Sequence, residues 1–392
     1  LVMDSVYDLI IVGGGPAGLS AAIYAGRSER RTLLLEKGSY GGRINDTYEI
    51  RNYPGTKADS GQHLMELFRE HAAGHPTVEL KRTTVTGVRK EDDTFIVETK
   101  RRGDFMARSV ILDLGTRPRE LNIKGEKEFT GHGVAYCATC DAEFFKGKEI
   151  YVLGAGDQAI EESDYLTGFA SKVTIVVLHE EGHLDCNEVA AEHAYKNPKI
   201  DFVWSSTVQE IKGSDHVESL VLKNVDTGRE TEVKADGLFL FVGMVPHTKH
   251  MNDRIDFDKA GYIKVNDKID TNEPALYAAG DCTQTFLRQV VTSAADGAVA
   301  AVASERYVKE LEQIQGILGP DSGRTVFLFY NPYSNEEIEK TAQLEQELSG
   351  QWKVYRQDVT RQNLLYNSLK LERTVAGAFY DNGKLVEIKQ AF

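Results

Sequence analysis

Apolar residues run almost unbroken from Tyr7 to Val12 and meet the turn Gly13-Gly14-Gly15-Pro16-Ala17-Gly18. An alanine-rich helical stretch follows over Leu19 to Arg27. A second apolar run, Thr32 to Leu35, ends on Glu36. The same order returns in mid-chain: a strand pattern from Glu149 to Leu153, the turn Gly154-Ala155-Gly156-Asp157-Gln158-Ala159, a helix to about Phe169, and a strand from Val173 to Leu178. This repeat of strand, glycine turn, helix and strand predicts two βαβ nucleotide folds.

Alternating stretches at Val85 to Val88, Thr94 to Glu98, Val217 to Leu222 and Gly237 to Val242 are expected to complete the two sheets. Leu276 to Asp281 leads into a helical segment from about Val290 to Leu311. Gly, Pro, Asp and Ser gather over residues 316–323, the pattern of a linker. Beyond it come a strand at Thr325 to Tyr330, a charged helix at Asn335 to Leu348 and a strand at Trp352 to Asp358. A helix at Arg361 to Leu369 and two strands, Thr374 to Tyr380 and Lys384 to Lys389, complete a separate small domain.

Composition narrows the function. At 392 residues the chain exceeds one ordinary core, and 41% apolar with 27% charged residues describes a globular protein. A net charge of -14 supplies no basic face for nucleic acid. No apolar run is long enough to span a membrane, and no basic leader precedes Tyr7, so no membrane association and a cytoplasmic location are expected. The four cysteines, Cys137, Cys140, Cys186 and Cys282, are too few for a secreted disulfide scaffold.

Gly13, Gly15 and Gly18 fit the dinucleotide pattern: one glycine makes the turn, the next admits the pyrophosphate, and the third permits close helix packing. Pro16 and Ala17 lie between them, and Glu36 stands 18 residues beyond Gly18, where an acid binds ribose hydroxyls. In Cys137-Ala138-Thr139-Cys140-Asp141 the spacing permits a small ring whose sulfurs exchange readily. Three readings compete: a redox disulfide, half of a zinc site completed by Cys186 and His183, or an inert buried pair. Beside two nucleotide folds the redox reading is favoured, and no metal is expected. Asp141 suits a proton donor and acceptor for the sulfurs, and equally a helix cap or first-turn carboxylate. His179, His247 and His250 are scattered and read as surface or packing residues.

Over roughly the first 310 residues the chain resembles the low-molecular-weight thioredoxin reductases, which are FAD-dependent pyridine nucleotide-disulfide oxidoreductases. The resemblance rests on Gly13 to Gly18, Glu36-Lys37-Gly38 to Gly41-Gly42, Asn52-Tyr53-Pro54-Gly55, Cys137 to Asp141, Gly280-Asp281 and Arg288-Gln289-Val290-Val291-Thr292-Ser293-Ala294. It implies an α/β fold with two Rossmann-like FAD/NAD(P)-binding domains of three-layer ββα type. The FAD domain would comprise residues 1–118 and 244–315, with residues 119–243, an NAD(P)-binding-like domain carrying the cysteines, inserted between. It implies a homodimer, electron transfer from FAD to Cys140, attack by Cys137 on the disulfide of thioredoxin or a thioredoxin-like partner, and proton handling by Asp141. It also implies rotation of the inserted domain, with hinges expected near Gly115-Thr116 and Gly243.

Two departures qualify this. The family grips the 2'-phosphate of NADPH with a His-Arg-Arg run and a further arginine, whereas this chain reads Leu178-His179-Glu180-Glu181-Gly182-His183-Leu184-Asp185. A glutamate ~4 Å from a phosphate opposes it by about 4 kcal/mol at an effective dielectric of about 20, so NADPH is disfavoured. The pocket at Gly154, Gly156, Asp157, Ala159 and Glu180 leaves open NADH, whose ribose hydroxyls suit a glutamate, or a non-pyridine donor such as ferredoxin or another flavin. Arg43 follows Gly41-Gly42 where the family has glutamine; tuning of the flavin and a solvent-facing position are both open.

The terminal residues 324–392 resemble a thioredoxin fold more weakly. Asn331-Pro332-Tyr333-Ser334-Asn335-Glu336 stands in place of the Cys-x-x-Cys, and Arg373-Thr374 stands where a cis-proline is expected. Without sulfur this domain is expected to serve docking, dimer contact, shielding or stability. The sequence thus points to a disulfide reductase with an altered donor. A flavin-dependent dithiol oxidase using oxygen and a redox-sensing flavoprotein with little turnover are the alternatives.

Overall fold

The computed structural model describes residues 6–47, 50, 52–57, 59–248, 251 and 254–392; the expectation for His250 lies outside them. Central to the first sheet is the Val6–Val12 strand, flanked in parallel by Thr32–Glu36 and Phe105–Leu112. Its near-continuous apolar run follows from burial on both faces. Ile10 and Ile11 are wholly buried, each contributing about 2 kcal/mol by that burial. One face is covered by Ala17, Leu19 and Ala21 of the Pro16–Arg27 helix with Ala300 and Ala301 of the Val290–Ile317 helix. The other is covered by Val88, Phe95 and Val97 of the antiparallel Val85–Glu91 and Thr94–Thr99 strands, giving two β layers and one helical layer.

The Phe105–Leu112 strand has two partners along one edge. Its first half pairs with Thr94–Thr99, and its last half takes up Leu276–Ala278 in parallel. The chain therefore leaves this unit and returns to it. Close approach of the two covering helices explains their alanine content: Ser20 Oγ donates to the Ala294 carbonyl at 2.6 Å, and a Cβ on Gly297 would fall 2.0 Å from the Ala17 carbonyl oxygen.

The intervening residues build a parallel sheet in the order Ile200–Val203, Lys172–Val176, Glu149–Leu153, Gly237–Leu240 and Val134–Ala135, with an antiparallel sheet of Ser206–Gly213, Val217–Asn224 and Glu230–Lys234. Entry and exit cross as a two-stranded ribbon, Thr116–Pro118 against Met244–Pro246. Arg119 N donates to the Gly243 carbonyl (3.0 Å) and His247 N to the Gly115 carbonyl (3.1 Å), so the two positions expected as hinges bracket the ribbon.

At the end of the chain, Arg324–Tyr330 lies between parallel Lys353–Asp358 and antiparallel Ala376–Asp381, with Lys384–Lys389 on the outer edge. The Asn335–Leu348 helix is capped by Ser334 Oγ, which accepts from Glu337 N at 3.3 Å. Two expectations shift. The helix expected over Arg361 to Leu369 is confined to Leu364–Ser368, because Asp358 holds the preceding residues in a turn, its carboxylate accepting from Thr360 N and its carbonyl from Gln362 N. The long helix, expected to end near Leu311, runs to Ile317 and takes the first two residues of the expected linker. Tertiary contacts extend it: Ile314 is buried with Phe327 and Phe329, and Glu310 Oε1 accepts from Leu364 N at 2.8 Å. Among the described residues no helix is long and apolar enough to cross a membrane.

Candidate active site

The glycine turn after Val6–Val12 is shaped by contacts no larger residue permits. Gly13 has φ +106°, and a Cβ there would lie 1.8 Å from the Asp113 carbonyl oxygen; a Cβ on Gly18 would lie 2.1 Å from the Gly13 carbonyl oxygen. Pro16 opens the helix with its ring at a position that needs no N–H. Glu36 ends the second strand nearly buried, with Oε2 accepting from Gly14 N and Oε1 from Gly38 N, both at 2.7 Å. Each oxygen keeps a lone pair for a hydroxyl donor.

The other expected cradle residues converge on this turn. Gly41 N donates to the Gly14 carbonyl at 2.6 Å, and Gly42 faces the Gly15 Cα. Gly280 lies against Ala17, and its N–H reaches Asp296 Oδ2 at 3.2 Å. Asp281 accepts from Ser293 Oγ at 3.1 Å; burial raises its pKa, while Ser293, Arg288 and Arg43 act against that rise. Arg288 donates through Nε to the Asp281 carbonyl (3.2 Å) and through Nη2 to the Thr283 carbonyl (3.0 Å), its guanidinium over the Tyr262 ring. Asn52 Nδ2 donates to Gln289 Oε1 at 3.1 Å, next to buried Val290. Arg43 is exposed and donates to Met244 Sδ at 3.2 Å; partial desolvation opposes its charge, which Asp281, Asp46 and Glu162 support. A glycine cradle that a Cβ would fill, a helix N-terminus, and an acid held at the strand end together fit the diphosphate and ribose of FAD.

Cys137 and Cys140 form a disulfide, their Cα atoms 5.4 Å apart. The Ala138–Asp141 helical turn brings them together, and Cys140 N donates to Cys137 Sγ at 3.2 Å. Burial raises the pKa of Asp141; its side chain makes no cap to the turn that follows, and it is the acidic residue of the Ala138–Asp141 helical turn, the first-turn position that is one of the alternatives for it. The zinc alternative lacks its sulfur ligands while the two are bonded to each other.

Sequence reasoning missed three acids. A carboxylate oxygen of Asp46 and both sulfurs lie within 4.8 Å of one another, and Thr139 Oγ1 donates to the Asp46 carbonyl, so the disulfide faces the loop that follows Gly41-Gly42. Glu126, only 1% exposed, accepts from Leu121 N, Ile123 N and Tyr136 Oη, ordering the segment before Cys137. Asp113 sends Oδ2 to Gly18 N at 2.7 Å beneath the glycine turn. Asp46 and Asp113 depend on contacts between residues distant in sequence, and Glu126, whose partners lie three to ten residues away, belongs to no recognisable local motif.

At the second glycine turn a Cβ on Gly154 would meet the Phe241 carbonyl oxygen at 2.3 Å and the Ala159 Cβ at 2.9 Å, a tight strand-to-helix junction. Gly156 bridges to Asp185, whose N–H donates to the Ala155 carbonyl at 2.9 Å. Asp157 Oδ1 accepts from both Asn187 N (2.7 Å) and Asn187 Nδ2 (2.8 Å). His179 Nε2 lies 2.7 Å from Asp185 Oδ2 and its ring lies 4.8 Å from that of His183, so His179 is engaged with its own loop. Glu180 is exposed.

Residues 7–297 match the family described as pyridine nucleotide-disulphide oxidoreductase. The chain is 43% identical over 314 residues to thioredoxin reductase of Peptoclostridium acidaminophilum, covering 78% of this chain and 98% of that protein. It is 40% identical over 315 residues to thioredoxin reductase of Bacillus subtilis, covering 79% and 97%. Among solved structures, thioredoxin reductase of Lactococcus lactis in its FR conformation superimposes with a TM-score of 0.75 at 42% identity, over 78% of this chain and 99% of that one. That of T. acidophilum gives 0.73 at 32% identity, over 78% and 99%. With its flavin cradle and its disulfide in place, the chain belongs to the low-molecular-weight thioredoxin reductase family of FAD-dependent oxidoreductases acting on sulfur groups.

Proposed function

We propose that the protein reduces the disulfide of thioredoxin or a thioredoxin-like partner with electrons from a donor that is not a pyridine nucleotide. Bound FAD supplies the two-electron carrier. Two electrons and two protons open the Cys137–Cys140 bond; Cys140 is the sulfur on the flavin side, and Asp141 passes a proton. The Cys137 thiolate then attacks the partner's disulfide, forming a mixed disulfide that Cys140 resolves, and the reduced partner leaves as the original bond re-forms. A homodimer working in the cytoplasm, with an inserted domain that turns on the Thr116–Pro118 and Met244–Pro246 ribbon, belongs to the same proposal.

The donor assignment is carried by one observation: the second glycine turn is lined with acid. Asp157 is the first helical residue and Asp185 bridges to Gly156 of the turn, Glu180 and Glu181 precede Asp185, and residues 178–190 contain no Lys or Arg. The N–H groups of Asn187 already occupy Asp157, and the Asp185 backbone is zipped to Ala155 and Gly156. Such a surface repels the phosphates of NADH as well as NADPH, which favours reduced ferredoxin or another flavin. Anaerobic titration of the FAD-loaded protein tests this. Reduced ferredoxin should bleach the flavin absorbance stoichiometrically, while NADH and NADPH should leave it unchanged within the turnover time; rapid bleaching by either nucleotide refutes the donor assignment.

We further propose that residues 324–392 form a thioredoxin-like docking element without redox chemistry. The strand order and directions support this. So does Glu337, whose carboxylate accepts from Asn331 N (2.7 Å) and Thr374 Oγ1 (2.8 Å) and closes the place where reactive sulfurs would sit.

A further inference from the structure

We propose that Asp113 is a binding residue for the diphosphate of the cofactor and works in its protonated form, so that the cradle takes up a proton together with the flavin nucleotide.

Asp113 follows the Phe105–Leu112 strand directly, its N–H bound to the Val12 carbonyl at 2.8 Å, and it is 8% exposed. Its carboxyl turns beneath the N-terminus of the Pro16–Arg27 helix. Oδ2 accepts from Gly18 N at 2.7 Å, the Gly15 N–H also bonds to the carboxyl, and a Cβ on Gly15 would fall 2.8 Å from Oδ2. Oδ1 comes within 3.3 Å of a Cβ built on Gly280, on the opposite wall of the cradle. The helix terminus that attracts a diphosphate is thus already faced by a carboxyl group of the protein's own.

The charged surroundings give this group no relief. From the end of the Thr32–Glu36 strand it meets Glu36, and from the Gly280–Cys282 turn Asp281 and the thiol of Cys282. The Val290–Ile317 helix adds Asp296, bonded to Gly280 N. Arg288 and Arg43 direct their charge at Asp281. Burial first, and then Glu36 and Asp281, push Asp113 up to about 7 against the pull of the two glycine N–H groups. An arriving diphosphate adds negative charge beside it. Two anions sharing one buried cradle repel, whereas a neutral carboxyl removes that repulsion and offers an O–H donor. Binding and protonation are therefore coupled.

The test uses the full chain stripped of flavin and titrated with FAD by quenching of flavin fluorescence between pH 6 and 9. For the wild type the dissociation constant should rise above about pH 7 with a slope approaching tenfold per pH unit. D113N keeps an acceptor for Gly18 N but cannot ionise, and its affinity should be nearly level over that window; D113A, which removes the group, should also be level. A slope in D113N equal to that of the wild type overturns the proposal. Calorimetry of FAD binding to the wild-type chain at pH 8, in two buffers of different ionisation enthalpy, reads proton uptake without any variant. Uptake approaching one proton supports the proposal, and none refutes it. Both readings are independent of which donor reduces the flavin.

Discussion

Among single residues, the two sulfurs and Asp141 carry predictions of different kinds. Cys137→Ser should leave flavin reduction by the donor intact and abolish turnover with thioredoxin, because it removes only the outgoing nucleophile; stopped-flow absorbance and a coupled thioredoxin assay read the two halves separately. Asp141→Asn should slow disulfide reduction by about a hundredfold, the range of a lost general acid. The sign of its pH dependence follows from burial, which raises the Asp141 pKa. The protonated acid persists to higher pH than an ordinary aspartate and is lost as pH rises through that raised value. The wild-type rate should fall on this limb, and the asparagine variant should lack it. Asp113 obeys the same sign for stability: its contribution is complete below pH 3.8 and lost as pH rises toward about 7, a loss of about 4 kcal/mol in the flavin-free chain. The cysteine pair, the glycines and Glu36 were readable because their chemistry lies in local spacing. Asp46 and Asp113 were not, since a lone acid in a chain with 60 of them acquires meaning only from what the fold brings beside it, and Glu126, though its partners are near in sequence, matches no motif.

At the level of elements, the alanine-rich Pro16–Arg27 and Val290–Ile317 helices depend on a near-contact of backbones. Gly297→Ala would place a methyl 2.0 Å from the Ala17 carbonyl oxygen, so the helices must separate where Gly280 and Asp281 meet the glycine turn. Overpacking of this sort costs about 1–3 kcal/mol, and the variant should show a lower melting temperature and shed FAD during gel filtration. Strand and helix positions were well foreseen wherever a continuous apolar run or a glycine turn marked them, and Asn335–Leu348 and Lys384–Lys389 agree to the residue. The Gly61–Ala73 and Glu188–Lys196 helices went unremarked because their buried faces are narrow, Leu64, Met65 and Ala72 in one and Ala190 and Ala194 in the other. The shortened Leu364–Ser368 helix shows a single Asx turn at Asp358 outweighing a helical pattern.

For the molecule as a whole, the family relationship accounts for residues 7–297, and the remaining domain is joined by more than a tether. Ile314 on the long helix is packed into the terminal core, and Ile314→Ala should cost that domain about 2–5 kcal/mol. Hydrogen exchange should then quicken across residues 324–392 while amides of the Gly13 to Gly18 turn keep their protection. The resemblance of the first part was visible from ordered motifs. The packed attachment was not, because Gly, Pro, Asp and Ser over residues 316–323 read as a linker although Glu310 and Ile314 already engage the terminal domain upstream.

That continuous helix also provides a stationary frame of reference. One rod runs from the wall of the flavin cradle into the terminal core, whereas the chain enters and leaves residues 119–243 through the paired Thr116–Pro118 and Met244–Pro246 strands. A fluorophore on exposed Tyr333 and a second on exposed Val189 would therefore form a ruler, and a change in its length during turnover tests the proposed rotation of residues 119–243. An appendage without sulfur chemistry thus becomes a natural place from which to test whether residues 119–243 turn.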